Sequence, residues 1–288
     1  MNYSISELQQ MYRRYRMQVL ILLLILTAAL VFVFKNHFLT LGTLAAAVLF
    51  HLSLVRQQQK DYVNAFTCAN LEHTLCPKLG MATVAEKGAS HITADVLSRA
   101  HLMPFCQGQD TPLLCWELSG RLRGLSVSLC DATLAQDFKL VEKGKKRIHF
   151  NSGVWTHIEL SKDTGMNLRL LHETSVPTPI RMEFFKTAPL FSPYAIPDEA
   201  LSKCYVLYGP ASQPAPVLPG RFLSELKKLT EYTPGYTAVS IRGSQMDVFI
   251  RGRFLARPVS VKQAPAKDLL DFDPFPELLY LLDLAKTL

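Results

Sequence analysis

Two uncharged runs of 18 residues constrain this chain more than anything else in it. Met17 to Phe34 reads MQVLILLLILTAALVFVF, and Phe38 to Val55 contains only His51 as an ionisable group. At about 1.5 Å of rise per residue, each run would span roughly 27 Å as a helix, close to the bilayer core of about 30 Å. Only Lys35, Asn36 and His37 separate them. The pair predicts a transmembrane helical hairpin with spans at about 17–34 and 38–55, because tandem helices that are apolar all round are rare outside membranes. A cleaved signal peptide fits less well, since no small-residue cleavage site follows and a second span comes at once.

The flanks predict the orientation. Arg13, Arg14 and Arg16 precede the first span, Arg56 and Lys60 follow the second, and the turn holds only Lys35. The positive-inside rule then puts both termini in the cytoplasm. Tyr12 and Tyr15 stand where an aromatic interface belt would lie, so these seven flanking Tyr, Arg and Lys residues are the expected membrane-interface set. Ser4 and Glu7 have capping-box spacing for a helix starting there. The expected partner is therefore the lipid bilayer, with a cytoplasmic or membrane protein as a second one; oligomeric state is left open.

Composition narrows the rest. Of 288 residues 49% are hydrophobic and 19% charged, which excludes a disordered chain. The formal net charge is +7, yet from Arg56 onward 27 basic residues face 23 acidic ones. A duplex-binding domain shows a stronger, clustered excess, so no nucleic-acid partner is expected. Six cysteines are too few for a disulfide scaffold.

Along the chain, residues 1–55 hold the N-terminal segment and the hairpin. Arg56 to Cys76 has no Gly or Pro and reads as a helix leaving the second span, ended by Pro77 and Gly80; Met81 to Ser90 reads as a connector, closing a juxtamembrane segment at 56–91. Residues 92–288 read as a cytoplasmic α+β domain of mostly antiparallel strands with a C-terminal helix. Its strands are expected at Leu113–Leu118, around Leu125–Leu129, within Ile148–Leu160 with a break at Asn151 and Gly153, at Leu168–Leu171, Lys203–Tyr208, Thr237–Arg242 and Met246–Arg251. Nine of the 17 prolines fall between Pro177 and Pro219 and exclude a long helix there. Helices are expected from Pro219 to Glu231 and near the C-terminus.

This layout resembles the bacterial membrane proteins grouped as domain of unknown function 3137. The similarity runs from Met17 to Leu288 and rests on LSGRLRGLSVSL (Leu118–Leu129), FNSGVWTHIEL (Phe150–Leu160), the strand leading into a Pro-started helix (Leu201–Leu229) and the hairpin Val239–Ile250. The chain departs by having Ser152-Gly153-Val154-Trp155 where that family usually shows a Gly flanked by aromatics, and by carrying more cysteines. The resemblance implies an inner-membrane protein with a cytoplasmic α+β domain, and it brings no activity and no functional residue.

Catalytic signatures are missing from the sequence: it has no G-x-S-x-G, no H-E-x-x-H, no Walker loop and no G-x-G-x-x-G after a strand. No catalytic, cofactor-binding or metal-ligating residue is assigned, and no cofactor is expected. Cys68, His73 and Cys76 could share a helical face, but packed thiols are the better reading without a C-x-x-C pair. His51 reads as interfacial rather than buried in the span. Asp271 and Asp273 read as caps of the last helix. Lys143, Lys145, Lys146 and Arg147 cluster on one hairpin and could touch anionic headgroups, each worth about 1 kcal/mol near a surface. The expectation is an inner-membrane protein acting as a non-catalytic, membrane-anchored binding or scaffold module. The alternatives are an enzyme using His149, His157 and Cys130 of the β-rich body, or an accessory subunit of a membrane transport complex.

Overall fold

The computed structural model describes residues 3–33, 37–80, 84–87, 91–100, 102, 112–139, 146–172, 191–233, 237–256 and 264–288, without the side chains of 32, 33, 37, 39, 85–87, 134–139 and 146–151. The Lys143 and Lys145 expectation lies outside these residues, as do the side chains of Lys146, Arg147 and His149.

Helix α1 runs from Ile5 to Val33. It starts with a capping box: Ser4 N–H donates to Glu7 Oε2 (2.7 Å) while Ser4 Oγ accepts from Glu7 N–H (3.3 Å). The Ser4 N–H, and then the Ser4 hydroxyl donating to the same oxygen (2.8 Å), hold the Glu7 carboxyl below its ordinary range. At 29 residues α1 is roughly 44 Å long, more than a bilayer core requires. Helix α2 (His37–Phe50) passes through one π turn (His51–Val55) into α3 (Arg56–Lys78), so the helix does continue out of the second apolar run. Exposed His51 opens the π turn, and its carbonyl accepts the N–H of Arg56. Two helices are thus long and apolar enough to cross a membrane, and only 11% of the apolar window in each is buried. Pro77 sits inside the last turn of α3 rather than just beyond it, and Gly80 at φ 69° follows.

The chain gathers into two compact units, each drawn from two stretches: Met1–Thr74 with Arg257–Asp273, and Leu75–Ala256 with Pro274–Leu288. The expected boundaries at 55 and 91 follow chain order, whereas the first unit also takes a distant segment. In that unit Leu8, Ala65, Phe66, Ala69 and Leu270 form an apolar cluster joining the start of α1, α3 and the short helix α7 (Lys267–Leu270). Asn70 Nδ2 donates to the carbonyls of Leu270 and Phe272, both at 2.8 Å. Asp271, expected to cap the last helix, instead meets His73 Nε2 at 2.7 Å. The residue at the N-cap of that helix is Glu277.

The second unit is built on one antiparallel sheet in the order β1-β2-β3-β4-β9-β8-β5-β7-β6. The strands are β1 (Val84–Lys87), β2 (Leu113–Leu122), β3 (Leu125–Lys139), β4 (Lys146–Glu159), β5 (Asn167–His172), β6 (Phe191–Tyr194), β7 (Tyr205–Pro210), β8 (Thr237–Arg242) and β9 (Gln245–Arg251). Helices α4 (Ala94–Ala100), α5 (Glu199–Ser202), α6 (Gly220–Tyr232) and α8 (Leu278–Ala285) complete it. The connector expected at 81–90 contains β1, which pairs with β2. The break expected in Ile148–Leu160 does not occur either. β4 pairs with β3 in unbroken register from Lys146 to Glu159. Gly153 serves close approach, not a bend, because a Cβ there would lie 2.2 Å from the carbonyl oxygen of Ile250.

Alternation divides the sheet into two buried faces. Leu168, Leu170, Leu207, Val239, Ile241, Met246 and Val248 share one face. Tyr205 lies on it too, and its hydroxyl pairs with Thr230 of α6 at 3.1 Å, which brings in the stripe Phe222, Leu226 and Leu229. The opposite face carries Cys130, Trp155, Phe249, Ala238 and Leu171, packed with Ile92, Leu97 and Ala100. A β-bulge between Cys115 and Leu118, with Trp116 at φ 56°, turns Glu117 inward. Its Oε1 accepts the N–H groups of His91 (2.8 Å) and Ile92 (3.1 Å) and so fixes the entry to α4.

Candidate functional site

Register on this second face lines up a polar row across the sheet. Ser128 is opposite His157, His157 opposite Asp247, Asp247 opposite Ser240, Ser240 opposite Arg169, and Arg169 opposite Tyr208. In the next row Gln245 is opposite Arg242, and Arg242 opposite Asn167. Side chains two apart on a strand share a face, so Asn167 joins Arg169 and Ser240 joins Arg242.

Asp247 is fully buried and ties the row together. Its Oδ1 accepts from Trp155 Nε1 (3.1 Å) and lies 2.8 Å from His157 Nδ1; its Oδ2 accepts from Arg242 Nη2 (3.3 Å). An acceptor-only carboxylate places the proton of this contact on Nδ1 of His157.

Beside this hub the sheet opens into a cavity of about 400 Å³ lined by Arg99, Asn167, Arg169, Arg242, Phe191 and Pro210 among others. A neighbouring cavity of about 260 Å³ shares Asn167 and Pro210 and is walled by Pro214 and Pro216, which gives the proline-rich stretch a place in the fold. Arg99 comes from α4, where it pairs with Asp95 one turn earlier. Arg242 pairs with Asp247.

Arg169 is different. It is 3% exposed, yet among the described residues no carboxylate lies at ion-pair distance. Its guanidinium donates to Asn167 Oδ1, the carbonyl of Leu168 (3.3 Å) and the carbonyl of Arg99 (3.4 Å), and stacks 4.8 Å from the Phe191 ring centre. The Nε atoms of Arg169 and Arg242 are both buried without a hydrogen-bond partner. Burial, and then the charge of Arg242, pull the Arg169 pKa down to about 10, with Asp247 opposing. The group is still a cation at neutral pH. A buried cation without a matched anion is costly, and a bound anion removes that cost.

The sequence-expected residues fall elsewhere. Arg13, Arg14, Arg16, Arg56 and Lys60 are exposed in the first unit. Tyr15 is buried, and the half-buried Tyr12 packs on Tyr62 with ring centres 5.7 Å apart. Burial, then Tyr12, raise the Tyr62 hydroxyl to about 12. His157 is committed to Asp247, and burial pushes the Cys130 thiol well up, which leaves it protonated and a poor nucleophile. Among the described residues no three His, Cys, Asp or Glu side chains are grouped as metal ligands would be.

Residue-by-residue reading of the sequence missed Asn167, Arg169, Asp247 and Arg242. Each was visible as the polar member of an alternating strand, but only the strand order brings them together.

No family model, curated protein or solved structure matches the chain.

Proposed function

We propose that this protein is a membrane-anchored binding module whose sheet domain holds a small anion, acting by binding rather than by catalysis. The observation that carries this reading is Arg169, a buried guanidinium without an ion-pair partner, lining an open cavity with two further arginines. The apolar hairpin supports the anchor, since its exposed leucines and valines are stable only in apolar surroundings. The packing of Tyr12 against Tyr62 supports having both ends of the hairpin on one side, and the five exposed basic residues around them favour the cytoplasmic side of a bacterial inner membrane. In this reading Arg13, Arg14, Arg16, Arg56 and Lys60 meet anionic headgroups.

Isothermal titration of the full chain in lipid nanodiscs, in a weakly coordinating buffer, tests the proposal. A panel of acetate, benzoate, sulfate and inorganic phosphate should include at least one anion that binds, and Arg169→Gln should lose that binding. Silence across the panel, or binding unchanged by the substitution, overturns it.

A further inference from the structure

We infer that the cavity is built for a singly charged organic acid, a small molecule whose carboxylate meets the guanidiniums of Arg169 and Arg242 and whose apolar body rests on Phe191 and Pro210. The inference rests on the anion-binding reading above and adds the chemical class.

Charge matching is the first argument. Arg99 is matched by Asp95 and Arg242 by Asp247, so of the three cavity arginines Arg169 is the one with no counter-ion among the described residues. A monoanion completes the set, whereas a dianion such as a phosphomonoester leaves an unmatched negative charge in a half-closed site.

Donor geometry is the second. Both Nη atoms of Arg169 already donate to protein oxygens, and Nη2 of Arg242 serves Asp247 and Gln245. What remains is the Nε–H and one Nη2–H of Arg169, and the Nε–H and both Nη1–H of Arg242. Guanidinium N–H pairs fit the two oxygens of a carboxylate, and the preference over phosphate rests on charge and on the wall.

The third argument is the wall. Phe191 and Pro210 are half-buried, so they offer apolar surface to a ligand body that an inorganic ion does not have. The cavity volume admits a molecule of benzoate size and excludes a long chain from full enclosure.

The test uses the full chain in nanodiscs, with four probes titrated separately: benzoate, acetate, inorganic phosphate and sulfate. Benzoate should bind at least tenfold more tightly than phosphate or sulfate, and more tightly than acetate. Arg169→Gln should weaken benzoate at least tenfold, and Arg242→Gln should weaken it as well. Phe191→Ala should bring benzoate down to the level of acetate. Without ligand, Arg169→Gln should melt no lower than the parent chain, because removing an unmatched buried charge relieves a cost; a purely structural arginine would lower the melting point. Tighter binding of phosphate or sulfate, lost in Arg169→Gln, overturns the carboxylate assignment and leaves the anion site standing. No binding by any of the four overturns both.

Discussion

Asp131, on β3, accepts the backbone N–H groups of Leu255 (2.7 Å) and Ala256 (3.0 Å) and so holds the chain just after β9. Burial outweighs these two bonds and raises its carboxyl pKa to about 6. The folded state therefore holds the proton more tightly than the unfolded chain, where an aspartate titrates near 3.9. The linkage follows: the ionised form costs stability that is absent below about pH 4, grows through about pH 6 and is complete near pH 7. Going from pH 7 to pH 5 should recover on the order of 1 kcal/mol from this group. Chemical denaturation of the full chain at both pH values, beside Asp131→Asn, checks this. The parent should gain more stability on acidification than the variant, and equal gains would rule Asp131 out as the source.

Helix α3 shows how one element serves two ends of the chain. Its apolar positions Phe66 and Ala69 pack against Leu8 and Leu270, and one polar position, Asn70, satisfies two carbonyls in the 270–272 stretch. Removing the amide leaves those carbonyls without their donor, and a buried unsatisfied group costs about 1–3 kcal/mol. Asn70→Ala should therefore raise amide hydrogen exchange at 267–273 by roughly tenfold to a hundredfold, read by mass spectrometry, with exchange in β8 and β9 unchanged. Equal exchange in parent and variant would show that the apolar contacts of Leu270 hold the segment without Asn70.

At the scale of the whole molecule, topology decides what the sheet domain can meet. The half-buried thiols of Cys115 and Cys204 and the buried thiol of Cys130 all lie in the second unit. If that unit is cytoplasmic, a membrane-impermeant maleimide should leave intact cells unlabelled. After lysis it should reach Cys115 and Cys204, and it should reach Cys130 only after denaturation. Labelling of Cys204 in intact cells would reverse the orientation and expose the arginine cavity to ligands from outside the cell.

Much of this was written in the chain order. Two 18-residue apolar runs specify two helices long and apolar enough to span a membrane, because length and composition are written in the chain itself. Ser4 and Glu7 specify a helix start, and Thr237–Arg242 with Met246–Arg251 around Gly243 specify a hairpin, because capping and tight turns are settled by neighbours. Period-2 alternation likewise marked Leu125, Val127 and Leu129 as one buried face. Strand order was not settled locally. Sequence cannot say that β5 lies between β7 and β8, or that β9 joins β4, because pairing energies depend on contacts between residues far apart in the chain. That order alone turns Asn167, Arg169, Arg242 and Asp247, four unremarkable polar positions on three strands, into a cavity with one unmatched buried charge.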